Sequence, residues 1–138
     1  MPHTVDASNP PKALVVTQSV RDRVLTTDLL QGAGYITDVV GDGLSAIDAA
    51  RHNAYDVILI DIQLSGLGGV HVARLIHALG GHNRVVPIIG TTNEVIPGQR
   101  ESLLRAGLDG HLARPFAAVD VTRILDASAV ATRDLEAA

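Results

Sequence analysis

DVILIDIQLSGLGG, residues 56–69, is the stretch whose reading decides the fold. Four apolar residues, Val57 to Ile60, stand between Asp56 and Asp61, and a glycine-rich segment follows them. A run this short, rich in β-branched residues and bounded by turn signals, predicts a strand buried on both faces, as in the middle of a parallel sheet. Asp61 then lies at the carboxyl end of that strand. Gly66, Gly68 and Gly69 predict the turn that leads into a helix. No Lys-Ser or Lys-Thr follows these glycines, and the first strand is not followed by GxGxxG, so a nucleotide-binding loop is not indicated.

Working outward, four more runs appear: Ala13 to Val16, Tyr35 to Val40, Val86 to Ile89, and a weaker one from Gly110 to Ala113. Between them lie stretches with helical spacing. The first has Val20, Val24, Leu25, Leu29 and Leu30 as its apolar face, with Ser19 and Asp22 as a capping box. Ala46, Ile47 and Ala50 mark the second, Val72, Ala73, Ile76 and Leu79 the third, and Leu103, Leu104 and Leu108 the fourth and its exit. A fifth runs from Val119 to about Val130, with Val121, Ile124 and Leu125 inward. Strand and helix in alternation predict an α/β domain with an open, doubly wound, five-stranded parallel sheet. YITDVV is interrupted by Thr37 and Asp38, and GHLA is weakly apolar, so these two are the edge strands. With right-handed crossovers the order is 2-1-3-4-5. Chemistry in such a sheet collects beyond the carboxyl ends of the strands. That edge carries Thr17 and Gln18 after strand one, Asp61 after strand three, Thr92 after strand four, and Arg114 with Pro115 after strand five.

Composition narrows the function. With 138 residues, 46% of them hydrophobic, one domain is expected: a leader at 1–11, the domain at 12–128 and a tail at 129–138. The absence of cysteine excludes disulfides, thiolate zinc sites and thiol nucleophiles. No segment approaches the roughly 20 apolar residues of a membrane span. The opening MPHTVDASNPPK has neither the basic start nor the apolar stretch of a signal peptide, so cytoplasm is the expected compartment. A net charge of -4 opposes a phosphate backbone, and Tyr35, Tyr55 and Phe116 are too few to stack bases, so nucleic acid is not an expected partner. His71, His77 and His82 lack the i, i+4 spacing of a helical metal pair, and no metal site is assigned to them. Ser45 and Ser65 lack the GxSxG context of an esterase nucleophile.

At these residues the chain resembles the receiver domains of two-component response regulators, with their flavodoxin-like fold, over about residues 12–128. DVILIDIQLSGLGG is similar to the family's third strand and following loop, which implies that Asp61 stands where a histidine kinase's phosphoryl group is accepted. PIIGTT places Thr92 at the family's hydroxyl. AGLDGHLARPF is similar to the segment that normally ends in Lys-Pro-Phe, so the resemblance puts Arg114 at the lysine, a cis bond before Pro115, and His111 at the aromatic switch position. The departures are equally specific. Two acidic residues usually follow strand one, where this chain has Thr17 and Gln18, and Ser65 replaces a proline in the acceptor loop.

Those departures carry a chemical consequence. Mg²⁺ demands near-octahedral oxygen ligation, commonly with carboxylates. Of the three carboxylates the family clusters there, only Asp61 survives. Thr17 and Gln18 supply no charge to offset dehydration of a dication, so Mg²⁺ binding is expected to be weak or absent, and needed only if Asp61 is phosphorylated. Arg114 is expected to take the metal's place beside Asp61, in a bidentate pair. The resemblance thus implies a non-catalytic signalling domain with a degenerate site. It would work through protein contacts with a histidine kinase or another signalling protein, or as a homodimer. The contact surface would be the fourth helix, fifth strand and fifth helix, or the first helix. Two alternatives stay open: a working phosphorelay receiver using Asp61, and a module sensing a small ligand.

Overall fold

The computed structural model describes residues 10–94, 96–117, 119–124 and 126. Most of the expected leader, all of the tail at 129–138, and Leu125 therefore lie outside the described residues. Five strands, β1 (Lys12–Val16), β2 (Ile36–Val40), β3 (Val57–Asp61), β4 (Ile88–Thr92) and β5 (Gly110–Ala113), form one parallel sheet in the order 2-1-3-4-5. Helices α1 (Val20–Gly32), α2 (Gly43–His52), α3 (Gly69–Ala78) and α4 (Gln99–Arg105) connect them, and residues 119–124 are helical again. Because strand side chains alternate between faces, the sheet has a core on each side. Leu14, Val16, Ile58, Ile60 and Ile88 pack under α2 and α3, while Ala13, Val15, Val57, Leu59 and Ile89 face the layer that holds Leu30 and Val121.

The third helix buries the face its spacing predicts: Val72, Ala73 and Ile76 are inaccessible. The first helix does not. α1 buries Thr26 and Leu30, while Val20, Val24 and Leu25 stand in solvent at 70%, 53% and 51% exposure. Helical spacing identified a row of apolar residues but not its direction, because a mixed helix offers more than one apolar stripe. β4 also begins and ends later than the run Val86 to Ile89. Pro87 lacks an N–H and sits just before the strand, where its carbonyl accepts from Ile58 N at 2.9 Å. The strand continues through Gly90, Thr91 and Thr92, a shift that matters for the site.

The loop after β3 turns back tightly. Gly66 has φ +76, and a Cβ on Gly69 would lie 2.2 Å from the carbonyl oxygen of Asp61, so only glycine lets α3 start against the end of β3. Gly69 N donates to Ile62 O at 3.1 Å, which fixes that approach.

Candidate functional site

Thr17 just after β1, Thr91 near the end of β4 and Arg114 just after β5 meet at the carboxylate of Asp61, the last residue of β3. Asp61 is 15% exposed. Its Oδ2 accepts from the Thr17 hydroxyl at 2.6 Å, and its Oδ1 accepts from the Thr91 hydroxyl at 2.6 Å and from Arg114 Nη2. Arg114 Nη2 also donates to Thr91 Oγ1 at 3.0 Å. The guanidinium thus touches Asp61 through one nitrogen, not as the bidentate fork expected, because its Nε faces a second carboxylate, Asp22, at 3.3 Å. Asp22 and Arg114 are each 13% exposed.

Thr17 and Gln18, the two residues that follow β1, part company. Thr17 is buried and, besides bonding Asp61, accepts from Ser19 N at 3.2 Å. Gln18 turns outward, where its Oε1 accepts from Ser65 N at 3.1 Å and from Ser65 Oγ at 2.7 Å. That clasp joins the loop after β1 to the loop after β3.

Thr92, named from sequence as the hydroxyl of the site, does not reach Asp61. β3 and β4 pair with Asp61 opposite Thr91, and paired residues of parallel strands share a face while the next residue takes the other. Thr92 is buried, and its Oγ1 accepts from Glu94 N at 3.2 Å. Reading β4 as ending at Ile89 left both threonines in a loop, where no register distinguishes them.

Ser19 and Asp22 form half of the capping box that their spacing predicts. Ser19 Oγ accepts from Asp22 N at 3.2 Å, but Ser19 N bonds Thr17, and the Asp22 carboxylate turns to Arg114 instead. The Arg114–Pro115 bond is cis. His111 lies on β5 paired with Gly90, half-buried, its Nε2 enclosed with no hydrogen-bond partner. Burial lowers its pKa below the ordinary imidazole value, and the nearby Arg100 charge lowers it further. A groove of about 810 Å³ runs beside the site between α1 and the chain after β5, lined by Asp22, Leu25, Leu29, Asn93, Arg114 and Phe116 among others.

The model for the response regulator receiver domain matches residues 13–126. The chain belongs to the receiver domain family. Similar proteins include the signal transduction histidine-protein kinase BarA of Shigella flexneri, 35% identical over 88 residues, which are 64% of this chain and 10% of that protein. Another is the DNA-binding response regulator MtrA of Mycobacterium leprae, 32% identical over 105 residues, 76% of this chain and 45% of that protein. Among solved structures, the receiver domain of the sensor histidine kinase PA1611 from Pseudomonas aeruginosa PAO1, with magnesium coordinated in its active site cleft, is 33% identical. Its TM-score is 0.78, covering 87% of this chain and 98% of that one. The chemotaxis protein CheY4 of Vibrio cholerae is 25% identical at a TM-score of 0.78, covering 86% and 98%. This receiver spans about a tenth of the length of the first curated relatives. It is a two-component signalling domain of the kind that works with histidine kinases and other signalling proteins. No helix among its described residues is long and apolar enough to cross a membrane.

Proposed function

We propose that this receiver signals through protein contacts and that Asp61 is a permanently paired carboxylate rather than a working phosphoacceptor. One observation carries the reading: each oxygen of Asp61 is already bonded, Oδ1 to Thr91 and Arg114, Oδ2 to Thr17. Attack on a phosphoryl group would have to displace one of those donors. The donors also fit Mg²⁺ poorly. Thr17 presents its proton to Asp61, Gln18 spends its oxygen on Ser65, and the carboxylate of Asp22 faces Arg114. Hard divalent cations need several free oxygens, with negative charge among them. Arg114 stands as the site's resident cation, at the position of the family's lysine. We further propose a cytoplasmic domain, with a histidine kinase or another signalling protein as partner. Val20, Val24 and Leu25 on α1 and Leu104 on α4 supply exposed apolar contact area.

The test is incubation with acetyl phosphate and Mg²⁺ followed by intact-mass measurement. The expected result is no phosphoryl adduct, with unfolding midpoints insensitive to Mg²⁺. A Mg²⁺-dependent adduct that disappears in Asp61→Asn would establish the second reading, a phosphorelay receiver. That reading is favoured by the position of Asp61 at the end of β3 and by the magnesium-bearing relative.

A further inference from the structure

We propose that Asp22 is a positioning residue for Arg114, and that Arg114, shared between two carboxylates, couples the charge state of Asp61 to the first turn of α1. The proposal rests on the reading of Asp61 as a paired carboxylate and extends it to how that pairing is regulated.

Three segments far apart in sequence meet at one guanidinium: the end of β3 through Asp61, the exit of β5 through Arg114 itself, and the start of α1 through Asp22. The sharing is uneven. Nη2 is committed to Asp61 and Thr91, whereas Nε is buried with no well-formed hydrogen bond, although Asp22 Oδ2 lies 3.3 Å away. One positive charge therefore serves two carboxylates in a site almost closed to water. Under low local dielectric neither carboxylate is indifferent to where the cation sits. Tightening one contact loosens the other. The groove beside Arg114 and Asp22 leaves the guanidinium room to shift.

The helix is built to feel that shift. Asp22 occupies the first turn of α1 and leaves its capping box half made: its backbone N–H is tied to the Ser19 hydroxyl and its carboxylate faces Arg114, so one residue links the helix start to the cation. A second tie reaches the same turn through Thr17, whose hydroxyl donates to Asp61 and accepts from Ser19 N. When Asp61 loses its charge, Asp22 becomes the sole carboxylate partner of Arg114, Nε completes its bond, and the first turn moves toward β5. Added negative charge at Asp61 draws the cation the other way. By linkage, a partner that engages Asp22 strengthens the Arg114–Asp61 contact by the same free energy.

The test is ¹H–¹⁵N NMR of the full chain, following the Arg114 Nε–H signal and the amides of residues 20–23. Asp61→Asn is expected to shift those amides and slow exchange of the Arg114 Nε–H. Asp22→Asn is expected to lose that Nε–H signal to exchange, and Asp22→Glu to retain it, which loss of helix capping alone would not produce. In an Asp22→Asn background, Asp61→Asn should move the α1 amides less, through the Thr17 tie alone. An α1 response of equal size with and without the Asp22 carboxylate would overturn the proposal, leaving Thr17 as the coupler. If Asp61→Asn does not fold, Arg114→Lys makes the same demand: one ammonium nitrogen replaces the separate Nη2 and Nε that face Asp61 and Asp22, so the α1 amides must shift, and unchanged amides overturn the idea. A phosphoryl adduct in the mass experiment would refute the paired-carboxylate reading while leaving this coupling measurable.

Discussion

Each end of the sheet carries a polar cluster around one cation, and the two are built on opposite terms. At the carboxyl end Arg114 is 13% exposed, between two carboxylates that are nearly as enclosed. Near the start of β1 the cation is Lys12, the chain's single lysine, with its side chain 36% exposed. Lys12 Nζ donates to Asn53 at 3.1 Å, lies 3.8 Å from Asp38, and stands 5.7 Å from the centre of the Tyr55 ring. Its backbone N donates to Asp56 at 2.7 Å. Water screens this second cluster, and backbone bonds would hold the strand start without the charge. The first cluster has no such reserve. Only there does removing a charge leave another stranded.

The sharpest way to break this comparison is to delete each cation. Arg114→Met leaves Asp61 and Asp22 enclosed without a counter-ion, and loss of one partner from a buried pair costs about 3 kcal/mol or more. Lys12→Met removes an exposed pair and is expected to cost less than about 1 kcal/mol. Urea unfolding of both variants measures the difference. Equal losses would show that the carboxyl-end cluster is as well hydrated as the other.

A second contrast lies within the site. Thr91→Val removes the hydroxyl that donates to Asp61 and accepts from Arg114, and is expected to cost about 2 kcal/mol, since both bonded partners are charged. Thr92→Val loses only a 3.2 Å acceptor for Glu94 N and should cost about half as much. The reverse ranking would mean that Thr92, not Thr91, supports the Asp61 carboxylate.

These two threonines also show how far the sequence could be read. The strand order, the edge positions of β2 and β5 and the placement of Asp61 followed from runs of apolar residues, because burial on two faces leaves a mark that does not depend on partners. Register leaves no such mark. Which threonine faces Asp61 depends on where β4 begins relative to β3, and that start lies after Pro87, at Ile88 within the apolar run. Arg114 beside Asp61 was legible because both sit at strand ends on one edge. Asp22 was not, since an acid three residues after a serine at a helix start has a sufficient local explanation. Its carboxylate was free to turn away only because Thr17 satisfies Ser19 N. The exposed Val20, Val24 and Leu25 were misplaced for a related reason: periodicity finds a stripe, and the sheet decides which stripe it covers.

At the other cluster, Tyr55 is the member that water does not reach. Its ring is fully buried, its hydroxyl donates to Asp38 at 2.7 Å, and burial together with that carboxylate pushes its pKa well above the usual phenol value. Tyr55→Phe keeps the ring and deletes the bond, with an expected loss of about 1 kcal/mol. Thermal unfolding checks it. A loss matching that of Arg114→Met would mean that the Lys12 cluster is as tightly coupled as the site.

The smallest effect concerns Asp109, just before β5, whose Oδ2 accepts from Ile88 N at 2.8 Å at the start of β4. Burial raises its pKa above the ordinary value of 3.8, partly opposed by the Ile88 N–H and by His77. The folded chain therefore holds this proton to higher pH than the unfolded chain does. The associated stability is complete below about pH 3.8 and is lost as pH rises through the folded-state value. Asp109→Asn keeps an oxygen for Ile88 N and removes the ionisation. Its stability relative to the parent chain should therefore climb with pH across that interval and level off above it, leaving the variant at least as stable near neutrality. Parallel urea midpoints for the two chains from about pH 3 to about pH 7 would contradict this. They would mean that the amino end of the sheet keeps even this carboxylate in contact with water, which widens the contrast with Asp61.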